Sequence, residues 1–84
     1  MYYAYVIYSS THHKIYIGYS SNPEGRLAAH NHTANKGWTQ KYQPWELVHT
    51  ESFQTKAEAQ KREKQLKSYQ GRQFIWKEVI GIKY

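Results

Sequence analysis

The stretch Lys14–Asn31, KIYIGYSSNPEGRLAAHN, decides the fold. Lys14-Ile15-Tyr16-Ile17-Gly18-Tyr19 predicts a short strand with Ile15, Ile17 and Tyr19 on one face and Tyr16 and Gly18 on the other. Asn22-Pro23 then opens a helix, because Asn is a favoured N-cap and Pro is favoured at the first helical position. The helix runs from Pro23 to about Asn31, with Leu27 and Ala28 as its inward side chains. Gly25 costs it up to ~1 kcal/mol relative to Ala, which a first turn tolerates. Arg26 and His30 stand four apart and share a helix face. Tyr16, Arg26 and His30 can therefore converge on one spot. Spacing alone also permits a half-buried packing tyrosine beside a solvated arginine.

Working outward, residues 2–9, YYAYVIYS, predict a preceding strand. Tyr3, Tyr5 and Ile7 share one face and Tyr2, Ala4, Val6 and Tyr8 the other, so both faces look covered, as in a central strand. The polar turn Ser9–His13 joins the two strands into a hairpin. His12-His13 at its tip reads as solvated rather than metal-binding. Residues 32–44, HTANKGWTQKYQP, have no clean period. Lys36, Trp38, Lys41 and Tyr42 there interleave charge with aromatic rings, which suits phosphate neutralisation and base stacking, or an inward fold of Trp38 and Tyr42 onto a thin core.

Trp45–Glu51 predicts a third strand. Thr55-Lys56-Ala57-Glu58 is a capping box that opens a second helix, extending to about Tyr69. Ala59, Glu63, Leu66 and Gln70 form its inward stripe, and Lys56, Lys61, Lys64 and Lys67 its basic face. A carboxylate at Glu63 should be paired or bound to a cation, because isolated burial is costly. The candidates are Arg26, a metal, or an ordinary bridge to Lys67. Gly71-Arg72 breaks the pattern before a last helix over Gln73–Ile80, with Gly81 as its C′ residue. The order is β-β-α-β-α-α, an α+β chain read as one domain over residues 1–84.

With 84 residues the chain buries only roughly 60–65% of its unfolded surface. It has no cysteine, so aromatics (nine Tyr, three Trp, two Phe) must make up the core. Nothing resembles a signal peptide and no apolar run nears ~20 residues, which predicts a soluble, cytoplasmic protein without membrane contact. The formal charge of +6 favours a polyanionic partner, most often nucleic acid. All six acids are Glu, which is poor material for a two-metal carboxylate site. Phosphodiester cleavage would have to use one metal and one Glu.

These residues together resemble the GIY-YIG nuclease family, and within it the small single-domain YhbQ-like (UPF0213) group. Tyr16-Ile17-Gly18 matches the second signature, while the first is reduced to Tyr3-Ala4-Tyr5, with only its tyrosine kept. The spacings from Tyr5 to Tyr16, Arg26 and His30 match, as does Glu63 on the later helix. The stretches Tyr42–Val48 and Glu58–Ser68 are also similar to the small group. The chain departs from larger members in lacking an equivalent of their later Asn; Asn31 is a supporting candidate only. No second DNA-binding domain is present in the sequence.

The resemblance implies a three-stranded antiparallel sheet flanked by helices and divalent-metal-dependent DNA cleavage. Glu63 would hold one Mg²⁺ or Mn²⁺ and Arg26 would stabilise charge on the scissile phosphate. Tyr5 and Tyr16 would flank the attacking water, with Tyr5 favoured as general base, and His30 would assist. Lys36, Trp38, Lys41, Tyr42, Lys61 and Lys64 are the candidate DNA contacts. Single-stranded or structured DNA is the favoured substrate, and repair or recombination the implied setting. The alternatives are a catalytically silent nucleic-acid-binding module and, more remotely, a protein–protein adaptor.

Overall fold

A computed structural model describes residues 1–81 of the chain. Three antiparallel strands, β1 (Tyr2–Ser9), β2 (Lys14–Ser20) and β3 (Glu46–Phe53), form a sheet in the order β2-β1-β3. The helices are α1 (Pro23–Asn31), α2 (Lys56–Lys67) and α3 (Tyr69–Phe74), the last continuing as a π-helical turn over Ile75–Ile80. A 3-10 turn, Trp38–Tyr42, lies between α1 and β3. The expected order and the antiparallel sheet are both present, so the chain is α+β.

The central place of β1 explains its composition. Ala4, Tyr5, Val6 and Ile7 are all buried, and alternate residues feed two separate cores. On one face Ala4 and Val6 join Ile15, Ile17, Leu66 and Ile75. On the other, Tyr5 and Ile7 join Trp45, with Tyr16, Leu27, Tyr42 and Leu47 packed against them. Each core is small, so aromatic rings supply much of the buried area.

Local signals set the helix starts as expected. Asn22 Oδ1 accepts the Gly25 N–H at 3.1 Å, and Pro23 follows it. In the capping box, Thr55 Oγ1 accepts the Glu58 N–H at 3.2 Å while Glu58 Oε1 accepts the Thr55 N–H at 3.3 Å. Gly81 takes the expected C′ conformation at φ +85°.

Several expectations are corrected. Ala28 is exposed, and Leu27 alone of that pair faces the core. α2 ends at Lys67, not near Tyr69, because Ser68 caps a new helix by accepting the Gly71 N–H at 3.1 Å. The last helix therefore begins at Tyr69 rather than Gln73, Gln70 is exposed, and Gly71 lies inside α3 instead of breaking it. Its missing side chain is what lets α3 approach: a β-carbon on Gly71 would meet the Gln65 and Leu66 backbone. β3 starts after Trp45 and runs on to Phe53. A bulge in it, where the register passes from Val6↔His49 to Ile7↔Leu47, brings both Val48 and His49 to the α3 side. The hairpin tip is pinned rather than merely solvated. His13, at φ 59°, stacks on Trp76 with ring centroids 5.1 Å apart, and His12 meets the Tyr42 ring edge-on.

Candidate active site

Strand register begins the site. Tyr5 on β1 pairs with Gly18 on β2, and Tyr16 pairs with Ile7 two positions on, so both phenols stand on the same sheet face. α1 crosses that face and brings Arg26 and His30 to them. Tyr5, Tyr16, Gly18, Arg26, Lys56 and Glu63 line one open cleft. Tyr16, Arg26 and His30 also wall a second hollow, completed by Asn35, Trp38 and Thr39. All five candidate catalytic residues are thus gathered, with Tyr16 and Arg26 between the two depressions.

The inner side is tightly organised. The Tyr5 hydroxyl lies 3.2 Å from His30 Nε2, and the His30 and Tyr16 ring centroids are 4.6 Å apart. Tyr5 is 1% exposed and His30 8%. Burial pushes the Tyr5 phenol above the ordinary tyrosine range; the Arg26 guanidinium beside it opposes this, and Tyr16 and Glu63 add to it. Burial, reinforced by the Arg26 charge, holds His30 below the ordinary histidine range, so its ring is neutral near neutral pH.

Glu63 lies partly buried at the junction of the cleft with the basic face of α2, where Lys61 and Lys64 stand. Its ion pair is with Lys67, at 3.6 Å, one helical turn away. The same side chain lines the cleft. One carboxylate in a cleft also lined by Tyr5 and Tyr16 fits a hard divalent cation such as Mg²⁺, which keeps several waters and takes few protein ligands. No group of three or more His, Cys, Asp or Glu is placed to hold a metal ion among the described residues.

The candidate DNA contacts divide. Trp38 is 48% exposed beside the second hollow, with its ring 4.7 Å from Tyr42, while Tyr42 packs on the inner core. Lys36 and Lys41 are exposed on the same loop, and Lys61 and Lys64 on α2. Asn31 serves structure instead: its amide accepts the Trp45 N–H at 2.6 Å and donates to the Trp45 carbonyl at 2.8 Å, fixing the entry to β3. Sequence reasoning missed Asn35 and Thr39, which stand behind His30. Asn35-Lys36-Gly37 carries a turn signal, but nothing in an aperiodic loop says which side chain turns inward.

The family model described as the GIY-YIG catalytic domain matches residues 1–77. A UPF0213 protein of Natronomonas pharaonis is 41% identical over 66 residues, covering 79% of this chain and 76% of the relative. One from Staphylococcus haemolyticus is 34% identical over 71 residues, covering 84% and 85%, and one from Haloquadratum walsbyi is 36% identical over 67, covering 80% and 74%. No solved structure matches at a significant level. With the two signature tyrosines, the helix arginine and the later glutamate gathered at one cleft, the chain belongs to the GIY-YIG nuclease family, among its UPF0213 proteins.

Proposed function

We propose that this protein is a divalent-metal-dependent endonuclease that hydrolyses DNA phosphodiester bonds, with single-stranded or structured DNA as substrate. The observation that carries this reading is the convergence of Tyr5, Tyr16, Arg26 and Glu63, from β1, β2, α1 and α2, on one open cleft. Glu63 would hold the Mg²⁺ or Mn²⁺ ion, which when bound supplies Lewis-acid stabilisation of phosphate charge. Arg26 binds the scissile phosphate and stabilises its developing negative charge.

In the hydrolysis a water oxygen bonds to phosphorus as an ester oxygen leaves, and that oxygen takes a proton from solvent. Tyr16, as its phenolate, accepts one proton of the attacking water. Burial supports this role for Tyr16 over Tyr5, the residue favoured from sequence. Tyr5 lies in the cleft wall with almost none of its side chain exposed, and burial raises its pKa, which suits a neutral phenol that orients the water. A part in DNA repair or recombination is proposed from the family resemblance, and a cytoplasmic place as the setting that suits it.

One observation favours a second reading, a silent DNA-binding module: Glu63 already has a partner in Lys67. The test is cleavage of 5′-labelled single-stranded, duplex and branched oligonucleotides in Mg²⁺, Mn²⁺ and EDTA. Metal-dependent product that disappears in Glu63→Gln supports the nuclease. Bound but uncut DNA under every condition supports the module.

A further inference from the structure

Thr39 has no part in the chemistry above, yet it is 4% exposed and its hydroxyl lies 3.0 Å from His30 Nδ1. The other nitrogen of the same ring faces Tyr5. Which nitrogen carries the proton can be traced from a donor of fixed identity. The Gly37 backbone N–H can only donate, and it does so to Asn35 Oδ1 at 2.9 Å. This fixes the orientation of the Asn35 amide. Its Nδ2 then donates to Thr39 Oγ1 at 2.7 Å and to the His30 carbonyl at 3.2 Å.

The Thr39 oxygen is therefore an acceptor toward Asn35. Its own hydrogen has one acceptor among the described hydrogen bonds, His30 Nδ1. The opposite tautomer would aim two donors at the Thr39 oxygen and leave its hydroxyl hydrogen without an acceptor among the described hydrogen bonds, whereas the hydroxyl hydrogen that the Nε2–H tautomer frees belongs to Tyr5, which lines the open cleft where water can accept it. We propose that Thr39, oriented by Asn35, is a positioning residue that holds His30 as the Nε2–H tautomer, so that His30 donates to the Tyr5 oxygen and the Tyr5 hydroxyl hydrogen is turned away from the ring, toward the cleft.

His30 then takes no proton from Tyr5. It locks the phenol as a donor facing the reacting groups, one requirement of an orienting residue. The catalytic consequence rests on the proposed nuclease reading; the tautomer does not.

The experiment is long-range ¹H–¹⁵N correlation on histidine-labelled protein at about pH 8, where the ring is neutral, without DNA or metal. The wild type and Thr39→Ser should show the Nε2–H tautomer. Thr39→Val, similar in shape but without a hydroxyl, should lose that preference and cut DNA on the order of tenfold more slowly, with KM changed by no more than about twofold. An Nδ1–H tautomer in the wild type, or an unchanged tautomer in folded Thr39→Val, overturns the proposal. If Thr39→Val does not fold, the wild-type tautomer still decides. An inactive protein with the Nε2–H tautomer would sink the nuclease reading alone, and an active one with Nδ1–H this inference alone.

Discussion

The Tyr5 phenol fills the space that a side chain on Gly18 would need: a β-carbon there would stand 2.7 Å from both the Tyr5 Cζ and its hydroxyl oxygen. The glycine of the Tyr16-Ile17-Gly18 signature is thereby a steric condition for the placement of a buried tyrosine one strand away. Gly18→Ala should push the ring out of register with His30 and Arg26. Overpacking of this kind costs about 1–3 kcal/mol, so a lowered melting temperature is expected in a protein that still folds. The loss of turnover should exceed what the unfolded fraction explains, on the order of 10²-fold. Wild-type turnover in folded Gly18→Ala would refute the steric argument.

Glu63 and Arg26 should separate chemistry from binding and from stability. Among the described residues the ion pair of Glu63 is a long, partly exposed one with Lys67, of a kind worth less than about 1 kcal/mol. Glu63→Gln should therefore abolish cleavage while leaving DNA affinity and the urea midpoint nearly unchanged. Arg26→Ala and Tyr5→Phe should each reduce turnover on the order of 10²-fold or more. A cleaving Glu63→Gln protein would remove the metal assignment.

Acid should destabilise the fold in two stages. His30 is held below its ordinary 6.5 by burial and then by Arg26, so the unfolded chain binds a proton that the folded site resists. Stability is then level above pH 6.5 and falls as pH drops from there through the depressed folded value. Glu51 follows at lower pH. Burial acts against its ionisation, but hydrogen bonds from His49 and Arg62, with their charges, outweigh this and hold it below its ordinary 4.5. The two oxygens of Glu51 lie 3.0 and 3.1 Å from Arg62 Nε, tying β3 to α2. Its stabilisation is present above 4.5 and is lost as pH falls through its folded value. Urea midpoints measured across pH should show both falls, with Glu51→Gln removing the lower one. A midpoint that rises on acidification would contradict both assignments.

The sequence made legible whatever depends on neighbours along the chain. Alternation placed Tyr5 and Tyr16 on faces, Asn22-Pro23 and Thr55–Glu58 set two helix starts, and helical spacing put Arg26 beside His30. It missed what is decided by contacts between distant segments. The β3 bulge shows only in how β3 pairs with β1, a strand some forty residues earlier. The start of α3 depends on Ser68 and on the close approach at Gly71, which read as a breaker because glycine marks both situations. Asn35 and Thr39 turn inward to bond His30 and each other, contacts that no local pattern in the loop announces.

Trp38 gives the clearest way to separate base stacking from charge. Its ring is 48% exposed and leans on Tyr42 and on the buried Trp45, so Trp38→Ala should lower the melting temperature only modestly and Tyr42→Ala more. Stacking a base on an aromatic ring is worth about 1–3 kcal/mol, so Trp38→Ala should weaken single-stranded DNA binding roughly 5- to 150-fold. A lost stack releases no counterions, so the dependence of log affinity on log salt should keep its slope. Lys61→Ala and Lys64→Ala should do the reverse, each lowering the slope by about one unit if the lysine meets a phosphate. Fluorescence titrations at several salt concentrations would check both. Unchanged affinity in Trp38→Ala would leave the ring as a loop-packing residue and confine DNA contact to the cleft and the lysine face of α2.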